Sequence, residues 1–377
     1  MKLTRIRAVS RKEVLHILRD PRSLAMGVAI PMLLLILFGY ALTLDVDNVP
    51  LVVWDQSETP ASRDLVSGFR GSRYFSLRAF VEGYDEIERA IDHGDALMAV
   101  VVPAGLGRAG AGGREPAVQL LVDGSDSNTA ALAIGYGEGV VRRWSQGVTL
   151  ERLRRSGGRT ALLPLEVRAR VWFNADMESK NYIIPGLIAV IMMVIAALLT
   201  SLTVAREWET GTMEQVISTP LKGPELVLGK FLPYFAIGLL DVVLAVLMGA
   251  FVFDVPLRGS VPLLFAMAAV FLTGALALGL VISIVTKGQL LASQLAMVLT
   301  FLPAFLLSGF MYDIGNMPRA IQIVTYLVPA RYFVALLKGI YLKGVGLEVL
   351  APQALLLAGF SAVMLSLAMI KFRKNLE

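Results

Sequence analysis

The sequence has 377 residues, of which 56% are hydrophobic, and its mean hydropathy is +0.66. This composition is too apolar for a soluble globular protein and indicates an integral membrane protein. The formal net charge is +5, but the large polar segment 45–180 has no obvious basic face, which argues against a nucleic-acid partner. The absence of cysteine excludes disulfides and thiolate metal sites.

The first polar segment covers residues 1–23. Apolar and basic side chains segregate over residues 1–20, which predicts a cytoplasmic helix lying in the membrane interface. Asp20 can cap a following helix that begins at Pro21. The next run, 24–44, is longer than the apolar core of a cleavable signal peptide, so we interpret it as the first transmembrane span.

Six apolar runs are long enough for a bilayer core of ~30 Å, which takes roughly 20 helical residues. They are residues 24–44, 183–205, 231–253, 261–285, 290–311 and 350–370. Fourteen Lys and Arg residues lie near the span ends on the side of the two termini, against five in the opposite short loops. The positive-inside rule therefore predicts that both termini are cytoplasmic.

Residues 45–182 differ in character from the rest of the sequence. Short β-branched runs predict strands, and amphipathic patterns at Tyr84–Asp92 and Asp126–Arg155 predict helices. The predicted strands are Pro50–Asp55, Leu97–Val102 and Val118–Val122. We therefore expect an α-helical polytopic membrane protein with six spans plus an inserted extracytoplasmic α/β domain.

Residues 183–377 form the predicted five-span domain, which includes an interrupted apolar loop at 312–349. Two half-length helices on either side of Pro329 predict a re-entrant hairpin on the outer side, because each is too short to cross the bilayer. Arg331 and Lys338 are seven residues apart and share one helix face. They either contact lipid headgroups or an outgoing solute, or simply extend to the interface.

The sequence contains no complete ATPase or catalytic motif. The segment Gly223–Lys230 resembles a P-loop, but its glycines are one residue too far apart and Phe231 replaces the Mg²⁺-binding Ser or Thr. The two histidines, His16 and His93, lie outside the predicted spans, and no zinc-site spacing occurs. We expect no catalytic residue, metal site or cofactor on this chain.

Several polar residues fall within predicted spans. Asp241 is either a proton-coupling or substrate-contact residue or a partner in a structural hydrogen bond between helices. Gln294, Thr300 and Ser308 either line a translocation path with Asp241 or make ordinary helix contacts. A further set of small residues recurs every fourth position, which predicts close packing of two helices. That set is Ala275, Gly279 and Ser283.

The loop 206–230 is dense in charge and contains fixed bends, which a simple connector does not need. With Thr219-Pro220 and Gly229-Lys230, it resembles the signature of type-two ABC-transporter permeases of the drug- and polysaccharide-export branch. The segment from Leu307 to Gly344 resembles the closing segment of that family, although Tyr312-Asp313 replaces a frequent Phe-Pro pair. The loop residues that carry the resemblance and its implied role are Arg206, Glu207, Trp208, Glu209, Gly211, Thr212, Met213, Glu214 and Pro220.

The resemblance implies that this loop forms a coupling helix in a groove of a separate ATP-binding subunit, which holds ATP and Mg²⁺. Glu207, Glu209 and Glu214 would contact that subunit, with Trp208 and Met213 as apolar anchors. It further implies pairing with a second copy or a paralogous permease in a bacterial inner (plasma) membrane, among membrane lipids. A periplasmic adaptor is a further possible partner, and export of an amphipathic, drug-like or lipid-like solute is the expected activity.

Two other functions remain open from the sequence. A secondary transporter could be driven by protons through Asp241. A membrane receptor or scaffold could bind a ligand on the 45–182 domain without transporting it. The acidic loop could also be an ordinary solvated surface.

Overall fold

The structure is a computed structural model that describes residues 2–42, 47–106, 117–155, 172–174 and 178–372. The chain divides into two compact units, which are described separately here. The first consists of residues Met1–Thr43 and Arg170–Glu377, and the second of Leu44–Ala169.

The first unit is helical. Its N-terminal part contains α1 (Leu3–Arg19), α2 (Pro21–Leu24), a π-helical turn (Ala25–Ala29) and α3 (Ile30–Ala41). Its C-terminal part contains α7 (Ser179–Glu209), α8 (Thr212–Ser218), α9 (Gly223–Phe251), α10 (Val261–Thr286), α11 (Gln289–Leu306), a 3-10 turn (Ile314–Asn316), α12 (Arg319–Thr325), α13 (Pro329–Lys338), a π-helical turn (Gly339–Lys343) and α14 (Leu347–Lys371).

Within the described residues, α7, α9, α10, α11 and α14 are long and apolar enough to cross a membrane. The apolar helix at Ala25–Ala41 is shorter, and residues 43–44 of the predicted first span lie outside the description. Six spans therefore stay a prediction. The interrupted apolar loop contains two short helical pieces, Arg319–Thr325 and Pro329–Lys343, bent by 86°, as its sequence pattern predicted.

The helix α7 lies at the centre of this unit, and its contact with α10 uses the predicted small residues. Ala275 and Ser283 are fully buried, and a side chain at Gly279 would overlap Thr200 of α7. The Thr200 hydroxyl donates to the carbonyl of Leu276 at 2.9 Å, and the amides of α7 donate to Ser283 Oγ. The small-residue face therefore allows close backbone approach, with hydroxyl groups satisfying helix polar atoms.

The second unit contains a four-stranded sheet of order β2-β1-β3-β4, with β1 parallel to β2 and β3, and β4 antiparallel to β3. Apolar clusters cover both faces of the central strands, which explains their continuous apolar sequence. The elements in chain order are β1 (Val49–Asp55), α4 (Pro60–Arg70), β2 (Phe75–Phe80), α5 (Tyr84–Asp92), β3 (Met98–Val102), β4 (Gln119–Val122) and α6 (Ser127–Arg155).

Candidate functional site

The loop 206–230 is a tight turn between two long helices. The helix α7 ends at Glu209, and Gly211 takes a left-handed conformation with φ of 71° that lets the chain reverse into α8. After α8, Thr219 is extended and Pro220 follows, so the chain leaves the helix before α9 begins at Gly223. The loop thus carries one short helix, α8, between the C-terminal end of α7 and the N-terminal end of α9.

Glu207 lies in a buried ion network at this end of the unit. Its carboxylate accepts from Lys12 of α1 at 2.6 Å and lies 3.1 Å from the ammonium of Lys230 on α9. Lys230 also donates to Glu13 of α1 at 2.8 Å. Glu13, Glu207 and Lys230 are 4%, 6% and 1% exposed, so these three side chains lie almost entirely out of water, whereas Lys12 is exposed.

The network holds Glu207 in its ionised form. Burial raises the pKa of this carboxyl, but the charges of Lys230 and Lys12 and their hydrogen bonds outweigh it, and the pKa is lowered. Two cations and two carboxylates balance each other, which is the condition for tolerating charge in a buried place. The network therefore joins α1, α7 and α9 by their charges.

The N-terminal helix α1 packs closely against the start of α9. A Cβ at Gly229 would lie 2.6 Å from Val9, so only glycine permits this approach, and Ser10 Oγ donates to the Gly229 carbonyl at 2.9 Å. Glu225 accepts from the backbone amide of Lys2 at 2.8 Å and pairs with Arg5 at 3.3 Å. The Gly-Lys pair of the loop signature is thus a docking point for α1.

The end of α7 also contacts α11. Glu209 accepts from the backbone amide of Gln289 at 2.6 Å and from its side chain at 2.5 Å, and these bonds lower the pKa of Glu209. Arg206 donates to Gln289 at 3.3 Å and lies 3.4 Å from Asp20 and 2.5 Å from the Nε2 of His16. The last turn of α7 is therefore bonded to α1, α9 and α11 at once.

Two loop residues that the resemblance assigns to contact with the ATP-binding subunit lie inside the chain. Glu207 is paired with Lys12, and Met213 is fully buried. Trp208 is half-buried, with the ammonium of Lys287 at 4.7 Å from its ring centroid. The exposed residues of the loop are Glu209, Thr210, Gly211, Glu214, Gln215, Ser218, Thr219, Pro220 and Lys222.

Thr212 is half-buried at the first turn of α8, and its hydroxyl lies 3.4 Å from the carbonyl of Glu207. This bond joins α8 to the turn of α7 that carries the ion network. A cavity of about 300 Å³ lies beside the network, lined by charged residues of α1 and α7 and by apolar residues such as Leu199 and Tyr234.

The residues predicted to line a path do not share one surface. Asp241 of α9 is buried, and its Oδ1 has no hydrogen-bond partner in the described part of the chain. Thr300 is buried and donates to its own helix at Ala296, whereas Gln294 is exposed on another face of α11. Ser308 lies beyond the end of α11 and accepts from the amide of Phe310.

The residues of the predicted outer hairpin do lie together. Pro329 begins α13 and is buried, and Arg331 and Lys338 both line a cavity of about 500 Å³. The guanidinium of Arg331 lies 3.8 Å from the ring centroid of Tyr326, and the ammonium of Lys338 lies 3.5 Å from that of Tyr182. The two cations therefore do not simply extend into solvent.

Sequence reasoning missed Lys12 and Glu13, which complete the ion network. The available signal was that Glu13 is the one acid in the otherwise basic segment Leu3–Arg19. Lys230 appeared only as part of a signature. Its position directly before a long apolar run indicated a cation that needs a carboxylate partner.

Comparison with known proteins identifies the family of this chain. Residues 21–370 match the model of the ABC-2 family transporter proteins. The chain is 37% identical over 374 residues to the probable multidrug ABC transporter permease YbhS of Escherichia coli, covering 99% of this chain and 98% of that protein. It is 28% identical to the probable multidrug ABC transporter permease YbhR, over 98% and 99% of the two chains, and 26% identical to the inner membrane transport permease YhhJ, over 92% and 93%. The chain is a multi-pass helical protein whose charged loop joins two long helices, and it is matched over nearly its whole length. It belongs to the ABC-2 family of transporter membrane proteins.

Proposed function

We propose that the chain is the membrane subunit of an ATP-driven exporter in a bacterial inner membrane, powered by a separate ATP-binding subunit that contacts the exposed surface of the loop 206–230. The names of the relatives, multidrug and inner membrane transport permeases, support this assignment. Both termini are cytoplasmic in this proposal, as the distribution of Lys and Arg predicts.

One observation carries the mechanism: the last turn of α7 bonds to α1, α9 and α11. A force on α8 reaches this turn directly, because Thr212 and Met213 fix α8 to it. Movement of the ATP-binding subunits would therefore shift several helices together. The two states are alternative packings of the same helices, and a ligand or nucleotide shifts the balance between them.

The transport cavity would lie between two copies of this chain, or between it and a paralogous permease. The exposed face of α11 carries mostly large apolar side chains with Gln294 among them, which suits an amphipathic, drug-like or lipid-like solute. A periplasmic adaptor remains a candidate partner for the 45–182 segment.

The test reverses charge on the exposed loop. Glu214 is exposed and has no ion pair among the described residues, so Glu214→Lys leaves the internal network intact. We expect this variant to insert normally and to lose ATP-dependent export in vesicles that contain the ATP-binding subunit. Glu348→Lys, an equal change at an exposed position in the first turn of α14, is the matched control.

The same vesicles separate this proposal from proton-driven transport. Asp241→Asn keeps the shape of the side chain and removes its ionisation. Under our proposal it retains ATP-dependent export, whereas a proton-driven carrier loses transport altogether. Full export by Glu214→Lys, or transport that needs Asp241 and no ATP, would contradict the proposed function.

A further inference from the structure

The cavity of about 500 Å³ beside the outer hairpin has features that the export proposal does not use. It lies between the start of α7, the segment after α11, the helix α13 and the start of α14. The polar residues that line it are Tyr182, Ser308, Asp313, Tyr326, Arg331, Tyr332, Lys338 and Gln353.

Two cationic side chains line this cavity, and each has N–H donors that make no hydrogen bond among the described residues. Lys338 donates to the carbonyl of Gly309 at 2.8 Å and rests on the ring of Tyr182. An ammonium has three N–H donors, so the Gly309 bond uses only one of them. The Nη1 atom of Arg331 bonds Gln322 and Thr325, and its other guanidinium nitrogens have no partner within the described ranges.

The cavity also has an acceptor without a donor. The Oε1 of Gln353 is buried and has no hydrogen-bond partner among the described residues. Asp313 is the single acid in the lining, and its Oδ1 accepts from the Gly315 amide at 2.8 Å. The formal charge of the lining is thus one positive, and a buried unpaired acceptor costs free energy unless a ligand supplies a donor.

One side of the cavity is apolar and continues onto an exposed helix face. Val334 and Leu356 line it, and Leu355 and Leu356 of α14 are 71% and 49% exposed. Gln353 lies one helical turn before Leu356, so a headgroup at Gln353 would place a hydrocarbon tail along α14. Because α14 is long and apolar enough to cross a membrane, its exposed leucines suit contact with hydrocarbon tails, and the cavity continues onto this face.

We propose that this cavity binds the headgroup of an anionic amphiphile, a phosphodiester that also carries a hydroxyl donor, with its tail along the exposed face of α14. The phosphate accepts from Lys338 and Arg331, and the hydroxyl donates to Gln353. This site belongs to the chain alone, so its test does not depend on ATP or on export.

The experiment measures binding of a fluorescently labelled short-chain phosphatidylglycerol to the purified full chain in neutral detergent. The comparison lipid is phosphatidylcholine with the same chains, which has no net charge and no headgroup hydroxyl. We expect phosphatidylglycerol to bind at least about tenfold more tightly, and Lys338→Met or Arg331→Met to weaken it roughly tenfold each. Lys343→Met, at an exposed position outside the cavity, should bind like the parent.

Several outcomes would overturn the proposal. They are equal binding of the two lipids, an equal loss in Lys343→Met, or displacement of the labelled lipid by millimolar inorganic phosphate, which would identify a site for a free anion. Size-exclusion chromatography checks the folding of each variant. If Lys338→Met does not give monodisperse protein, Arg331→Met decides, and unchanged binding in that variant rejects the site.

Discussion

Removing the ammonium of Lys230 tests the buried ion network most directly. Lys230 is the central cation: it lies 2.8 Å from Glu13 and 3.1 Å from Glu207, and all three side chains are buried. Lys230→Met keeps an unbranched side chain of similar length, leaves Glu207 paired with Lys12 alone and removes the cation that Glu13 pairs with. Lys12 has 56% of its side chain exposed, so water screens much of its charge.

The expected loss follows from the unpaired charge that remains. Removing one partner of a buried ion pair costs about 3–5 kcal/mol, mostly because the other charge stays buried. Replacing Glu13 by Gln in the same chain restores the balance between Lys12 and Glu207. The double variant Glu13→Gln, Lys230→Met should therefore be about 2 kcal/mol more stable than Lys230→Met, within the range found for coupled residues.

The assay is equilibrium unfolding of the purified chain in mixed detergent and SDS micelles, followed by two probes to establish a single transition. Lys371→Met changes an exposed lysine at the end of α14 and should alter stability by no more than about 0.5 kcal/mol. A loss of less than about 0.5 kcal/mol in Lys230→Met, with no coupling to Glu13, would refute a stabilising role for the network.

Two more predictions follow from contacts of other residues. Gly279→Ala should lower the free energy of unfolding by about 1–3 kcal/mol in the same assay, because the new methyl group overlaps α7. Gly359→Ala is the control: its methyl group meets open space, so the free energy of unfolding should stay the same or rise slightly. Equal effects of the two substitutions would contradict the close packing of α7 and α10. Hydrogen bonds from the backbone amides of Lys222 and Lys2 lower the pKa of Glu225 from 4.5 to about 2. The stabilising contribution of Glu225 is therefore complete above pH 4.5 and is lost as the pH falls towards 2. Hydrogen-exchange protection of the α1 amides, corrected for intrinsic exchange rates, should fall between pH 4.5 and 2 and stay constant above pH 4.5. Glu225→Gln should remove this pH-dependent fall in protection.

The membrane helices and the central strands were predictable because their burial leaves a local pattern. The predicted strands Pro50–Asp55 and Leu97–Val102 are confirmed as β1 and β3, and the helix Tyr84–Asp92 is confirmed as α5. The strand β2 was not predicted. It is an edge strand whose residues Arg78–Phe80 are not buried, so polar and apolar residues mix in its sequence.

The ion network could not be predicted, because its members are far apart in the sequence. Glu207 stands among other acids of the loop, and only the packing of α1 against α9 separates this buried carboxylate from exposed Glu214. The same limit applies to the outer cavity. The spacing of Arg331 and Lys338 placed them on one helix face, but Tyr182 and Gln353 come from α7 and α14, which are far apart in the sequence.

The distance along the chain between Glu13 and Lys230 has a consequence for biogenesis. The two residues are separated by 217 positions, which at roughly 5–20 residues per second take on the order of 10–40 s to translate. The nascent α1 must keep Glu13 hydrated at the bilayer surface during this time, before its counter-ion leaves the ribosome. Membrane integration of the later segments therefore precedes the final seating of the first helix.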